Sequence, residues 1–217
     1  MITRIKICCI SSEDEARMAI EYGASAIGLV ARMPSGPGPI SDELIRLIAK
    51  TVPPPVATFL LTSETSVNEI IEHHQRTNTN TIQIVDSLSA GTYSQLKAAL
   101  PGVKIVQVIH VIDETSVDEA LDISEMVDAL LLDSGNPKLK VKELGGTGRV
   151  HNWKLSSEIR DRSKCPVFLA GGLNPENVRQ AIEEVHPFAV DICSGVRTDG
   201  KLDRKKLELF VTNVARI

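Results

Sequence analysis

The stretch VFLAGGLNPENVRQAIEEV, residues 167–185, decides the fold. Val167–Ala170 is a short apolar run of strand-like composition. Gly171 and Gly172 end it, and Asn174 followed by Pro175 reads as the N-cap and first position of a helix. Val178, Ala181, Ile182 and Val185 then fall at i, i+3, i+4 and i+7, which is one apolar helix face. The unit is strand, tight turn, helix.

Outward from this stretch the unit recurs. Strand-like runs lie at Ile5–Cys9, Ala26–Val30, Val56–Leu60, Thr81–Val85, Lys104–Ile109, Val127–Leu132 and Ala189–Cys193. Helix starts are signalled by the spacing Ser12/Glu15, Ser66/Glu69 and Ser116/Glu119, each a capping-box pattern. Leu207, Phe210, Val211 and Val214 give the last helix its apolar face. Strand then helix thus repeats about eight times at roughly 25-residue spacing, which implies a parallel sheet. A closed (β/α)₈ barrel and an open doubly wound sheet both fit. Eight units without a composition break favour an α/β fold made of a single (β/α)₈ TIM barrel, one domain over residues 1–217.

Composition narrows the function classes. Hydrophobic residues make up 42% of the chain but aromatics only 3%, so the core must be aliphatic, as buried parallel strands are. A net charge of −4, no basic block and few rings for stacking give no reason to expect a nucleic-acid partner. No apolar stretch approaches the ~18 residues of a transmembrane helix. The opening MITRIKICCISSEDE turns acidic before a secretory apolar region develops, so neither a signal peptide nor a membrane partner is expected. Cys8, Cys9, Cys165 and Cys193 have neither zinc-site nor disulfide-scaffold spacing, and free thiols in a cytoplasmic protein are the expectation. In a strand Cys8 and Cys9 would point to opposite faces. No H-x-x-x-H or similar pair exists, so no metal is expected.

Two connections are unusual: ARMPSGPGPI (31–40) and SGNPKLKVKELGGTGRVHN (134–152). Both follow strands and so belong to the C-terminal face, where barrel enzymes carry their sites. The longer one is expected to be mobile until ligand binds. Cys8 ends the first strand and Asp133 the sixth, so a thiol and a carboxylate meet at one mouth, suited to general base and general acid. The plainer alternatives are a small buried hydrophobe and a turn former. Gly171 and Gly172, and the CSGV turn at 193–196, suit close backbone approach to an anion. His74 falls on the apolar side of the third helix, His73 on the solvent side, and His186 in a helix-ending turn; His110 and His151 are within reach of the mouth. Lys138–Glu143 and Arg204–Lys206 read as solvated faces.

KICCI (6–10), LLLDS (130–134), GGTGRVHNW (145–153), AGGLNPENV (170–178) and HPFAVDICSGV (186–196) together resemble the phosphoribosylanthranilate isomerase family, in order and over almost the whole chain. The resemblance implies a cofactor-free (β/α)₈ barrel, monomeric or homodimeric. It further implies an Amadori rearrangement of the small phosphorylated substrate N-(5-phosphoribosyl)anthranilate to the 1-deoxyribulose phosphate. It assigns Cys8 as general base at the sugar C2 and Asp133 as general acid on the ribose ring oxygen. Gly171, Gly172, Ser194 and Gly195 match the phosphate-binding turns, and Asp191 and Gln83 match pocket residues. The base must work as thiolate, so local hydrogen bonds or backbone dipoles are expected to stabilise it.

Three departures stand out. Cys9 occupies the place of a common family glycine. SGPGPIS (35–41) lacks the family's arginine for the anthranilate carboxylate, leaving Arg32, upstream, as the candidate substitute. QIVDS (83–87) keeps Gln83 but holds Val85 where the family has His. The acid, base and phosphate elements are retained while the aromatic-acid elements are altered. Three readings follow: a working isomerase, a paralogue acting on another phosphosugar or amino-sugar, and a phospholigand-binding barrel without catalysis.

Overall fold

The computed structural model describes residues 2–135 and 150–215. Most of the second long loop, with Lys138–Glu143, lies outside the described residues, and so does its expected mobility. Eight parallel strands close into a barrel in sequence order. They are β1 (Arg4–Ile7), β2 (Ala26–Val30), β3 (Ala57–Thr62), β4 (Thr81–Ile84), β5 (Lys104–His110), β6 (Ala129–Asp133), β7 (Val167–Leu169) and β8 (Ala189–Ile192). The helices are α1 (Glu13–Glu21), α2 (Asp42–Thr51), α3 (Val67–Thr77), α4 (Tyr93–Ala99), α5 (Thr115–Ser124), α6 (Trp153–Arg162), α7 (Val178–Val185) and α8 (Arg204–Ala215). Pairing of β1 with β8, Lys6 opposite Asp191, closes the sheet and excludes the doubly wound alternative.

Strand alternation sorts the side chains into two layers. On β2, Ile27 and Leu29 join the layer between sheet and helices, while Ala26 and Val30 face the barrel interior. Aliphatic residues dominate both layers, as the composition demands. Three of the four Phe residues meet at the barrel floor: Phe168 lies 5.8 Å from Phe59 and 5.7 Å from Phe188, centroid to centroid. The scarce aromatic mass is thus used far from the mouth.

All eight strands appear where expected, with ends shifted by one or two residues. The helix starts differ more. Ser12 caps α1 through the Glu15 amide, but the Glu15 carboxylate does not fold back on its own cap. It accepts from Ser11 N, Leu202 N and Arg197 instead. Ser66 makes no side-chain cap bond, and Ser116 accepts from Ile112 N one turn upstream. The full capping box is Thr92 with Gln95 at α4. Asn174 Oδ1 accepts from Glu176 N and Asn177 N, which forms a turn first, so regular helix begins only at Val178. His73, expected to face solvent, is buried. It lies three residues after Ile70, on the seam with α2, bonded to Thr62 Oγ1 and Asp42 Oδ1.

Candidate active site

A cavity opens at the C-terminal end of the barrel. Cys8 enters from the end of β1, Gln83 from β4, Asp133 from the end of β6 and Asp191 from β8. Gly171, Gly172 and Ser194 line it from the turns after β7 and β8. Seven of the residues expected at the site therefore share one cavity. Gly195 lies behind that surface: an added Cβ would overlap the Leu173 carbonyl oxygen, so only glycine lets the two turns pack. Arg32 is exposed and outside the lining, where its loop contributes Met33, Ser35, Gly36 and Pro37. No Phe, Tyr or Trp is among the described lining residues.

The turns are locally determined. Gly171 and Gly172 have φ of 80° and 65°, a region that costs other residues ~1–2 kcal/mol. Asn177 Nδ2 donates to the Gly172 carbonyl and holds the second glycine against the start of α7. Ser134 N donates to Asp133 Oδ1 at 2.7 Å, which fixes the carboxylate at the rim.

Cysteine usage differs from expectation. Cys9 and Cys193 form a disulfide with Cα atoms 5.9 Å apart, leaving Cys8 and Cys165 free. Sequence spacing did not signal this pair because barrel closure, not local order, makes β1 and β8 neighbours. Cys9 has φ of 61°, in keeping with the family glycine it replaces. Arg197 Nη2 donates to the Cys8 and Cys9 carbonyls, and its Nη1 pairs with Glu15 at 2.9 Å.

A residue that sequence reasoning missed lies beneath Cys8. Lys6, two positions earlier on β1, is fully buried and donates from Nζ to Asp191 Oδ2 at 2.8 Å. The available signal was a lysine inside an apolar strand run. Burial works to lower its pKa, but the charges and hydrogen bonds of Asp191 and Cys8 outweigh it and hold the ammonium protonated. Burial also pushes the Cys8 thiol up to about 11, against the pull of Lys6 and a hydrogen bond from the Cys9 backbone. The net direction is against the expected thiolate, because burial exceeds the pull of Lys6 and the Cys9 backbone. Two buried acceptors in the cavity lining, Gln83 Oε1 and Asp191 Oδ1, have no partner among the described residues. Unsatisfied buried acceptors are costly, and their position suits donors on a ligand.

The other histidines stand aside. His110 Nε2 bonds the Val85 carbonyl and borders a separate small recess. His151 bonds Ser156 Oγ, and its Nδ1 sits 3.0 Å from where a Gly171 Cβ would be. Among the described residues no cluster of three His, Cys, Asp or Glu is placed to hold a metal ion.

The family model described as N-(5'phosphoribosyl)anthranilate (PRA) isomerase matches residues 5–213. The chain belongs to the phosphoribosylanthranilate isomerase family. It is 32% identical over 214 residues to the N-(5'-phosphoribosyl)anthranilate isomerase of Methanocella arvoryzae, covering 98% of each chain. Phosphoribosyl anthranilate isomerase of Thermotoga maritima superposes with a TM-score of 0.81 at 31% identity, covering 99% of this chain and 100% of that one. A phosphoribosyl anthranilate isomerase solved with reduced 1-(o-carboxyphenylamino)-1-deoxyribulose 5-phosphate superposes with a TM-score of 0.78 at 29% identity, with the same coverage. Phosphoribosylanthranilate isomerases are isomerase enzymes of tryptophan biosynthesis, and this chain shares their barrel from end to end.

Proposed function

We propose that this protein converts N-(5-phosphoribosyl)anthranilate to 1-(2-carboxyphenylamino)-1-deoxyribulose 5-phosphate without a cofactor. The observation that carries the reading is the shared cavity of Cys8 and Asp133, bordered by the Gly171–Gly172 and Ser194–Gly195 turns. Asp133 gives its proton to the ribose ring oxygen as the C1–O bond breaks, and the amine lone pair forms a C1=N iminium. Cys8 thiolate then takes the C2 proton. The C–H pair becomes a C1=C2 double bond and the iminium pair returns to nitrogen. The enolamine gives the ketone as O2 loses its proton and C1 gains one. Turn amides and the start of α7 hold the phosphate, while Gln83 and Asp191 accept from substrate N–H or O–H groups.

The reading includes a single barrel domain over residues 1–217, monomeric or homodimeric, in the cytoplasm. No described helix is long and apolar enough to cross a membrane. The test is direct: generate phosphoribosylanthranilate in situ and follow the loss of its anthranilate fluorescence when pure protein is added. No acceleration at high protein concentration overturns the reading. A second reading, a paralogue acting on another aminoaldose phosphate, draws on one observation: among the described residues the lining holds neither an aromatic side chain nor Arg32. Turnover of a substrate lacking the aromatic ring, without turnover of phosphoribosylanthranilate, would favour it.

A further inference from the structure

We propose that Lys6 is a positioning residue for the reaction: its ammonium, held beneath the cavity by Asp191, is the fixed positive charge against which Cys8 becomes thiolate. The inference rests on Cys8 acting as the base. Lys6 and Cys8 are alternate residues of one strand and share its inward face. Lys6 is fully buried, its Nζ 2.8 Å from Asp191 Oδ2 and 5.1 Å from the centre of the Phe59 ring. Its charge opposes the upward push of burial on the Cys8 thiol, and the two side chains border the same space over Gly28.

Gly28, on the neighbouring strand β2, makes this approach possible. A Cβ there would stand 2.7 Å from Cys8 Sγ and 3.1 Å from Lys6 Nζ. The bare backbone leaves the space that both atoms use. A lysine whose only task was to fill the barrel would not need that gap beside the thiol.

Among the described residues, the charges facing Cys8 are few. Lys6 lies below it on its own strand and Asp191 beside it on β8; Asp133 acts on Asp191 across the cavity. Lys6 opposes the burial of the thiol, while Asp191 adds to it. Asp191 thus has two effects: it anchors the ammonium and partly screens it from the sulfur. Lys6 keeps its own proton throughout and does not shuttle one. When Cys8 takes the substrate C2 proton, the ammonium remains paired with Asp191.

An opposite charge within ~4–6 Å shifts a pKa by ~1–3 units, so loss of Lys6 cuts the thiolate fraction at least about tenfold. The experiment measures the alkylation rate of Cys8 by iodoacetamide against pH, resolved by peptide mass spectrometry, on free enzyme without substrate. Lys6→Met is expected to lower the rate at pH 8 at least about tenfold and move the profile to higher pH. Lys6→Gln, which can still donate to Asp191 but carries no charge, is expected to move it to higher pH as well. Lys6→Arg retains a charge and restores part of the rate. In turnover, Lys6→Met lowers kcat, with recovery at alkaline pH, and changes KM by less than about threefold. A folded Lys6→Met with an unchanged alkylation profile overturns the proposal. If Lys6→Met does not fold, Lys6→Gln decides, and a profile unmoved from wild type overturns the proposal. A coupled alkylation profile together with full turnover by Cys8→Ser would instead sink the assignment of Cys8 as base and leave the Lys6–Cys8 coupling standing.

Discussion

Breaking the Cys9–Cys193 disulfide should lower stability by an amount the fold allows one to work out. The cross-link spans 184 residues of sequence, so it removes much of the conformational freedom of the unfolded chain. Loop-closure entropy for a span of that length sets a ceiling of about 5 kcal/mol, and native cross-links commonly contribute ~2–4 kcal/mol. For a chain of this size each kcal/mol moves Tm by about 2–4 °C, so a reducing buffer is expected to lower Tm by roughly 5–15 °C. Two variants separate the cross-link from the backbone. Cys193→Ser removes the bond and leaves Cys9 at φ 61°, so it should match the reduced wild type. Cys9→Gly removes the bond and also relieves a left-handed residue, worth ~1–2 kcal/mol less the added freedom of an unfolded glycine. It should therefore be about 0.5–1 kcal/mol more stable than Cys193→Ser. Scanning calorimetry or far-ultraviolet circular dichroism, with and without dithiothreitol, reads all three. Equal midpoints for oxidised and reduced wild type would refute the stabilising role, and equal midpoints for the two variants would refute the backbone argument.

Other outcomes follow from the same geometry. Cys8→Ser and Asp133→Asn should each cut turnover of phosphoribosylanthranilate about 10²–10⁴-fold while circular dichroism stays unchanged; wild-type rates in either would remove that residue from the mechanism. Gly28→Ala drives a methyl into Cys8 Sγ and Lys6 Nζ, so kcat should fall more than about tenfold for a stability cost of only ~1–3 kcal/mol. An unaltered kcat would mean the sulfur does not need that space. Burial holds His151 down at about 4, below its ordinary 6.5. Between those pH values the unfolded chain binds a proton that the folded chain refuses. Stability should therefore fall by roughly 3 kcal/mol as pH drops from 6.5 to 4, and not change on this account above 6.5. His151→Gln should show a shallower decline in urea titrations over that window, and an identical decline would contradict the burial argument.

The strands were legible because a parallel barrel buries both faces of each one, so Val/Ile/Leu runs mark them without a partner being known. The turns at Gly171–Gly172 and Ser194–Gly195 were legible for a similar reason, since backbone that must approach closely leaves glycine in the sequence. The capping patterns were less so. Ser12-x-x-Glu15 is a local signature, but whether the carboxylate turns back on its own helix depends on a competitor, and here Arg197 wins it. His73 was misjudged because α3 is covered on two sides, by β3 and by α2, and a single apolar stripe understates that.

What stayed hidden shares one location. Lys6–Asp191, Cys9–Cys193 and Glu15–Arg197 are separated by 185, 184 and 182 residues, and all three join the first β-α unit to the segment from β8 onward. That is the seam where the sheet closes. Periodicity reports on neighbours a few residues away, so it finds each strand but not the pair that meets last. The proposed base stands on one side of the seam, while its ionic support through Asp191 and the turn at Ser194 stand on the other. The polar pairing at the seam also has a physical reason. Lys6 in the barrel interior is tolerable only with a carboxylate at contact distance, and Asp191 supplies it only in the observed register, Lys6 opposite Asp191. A register slip of one residue would turn one partner outward and leave the other buried and unpaired. The pair proposed to tune the thiol is therefore also satisfied only in the register that closes the barrel.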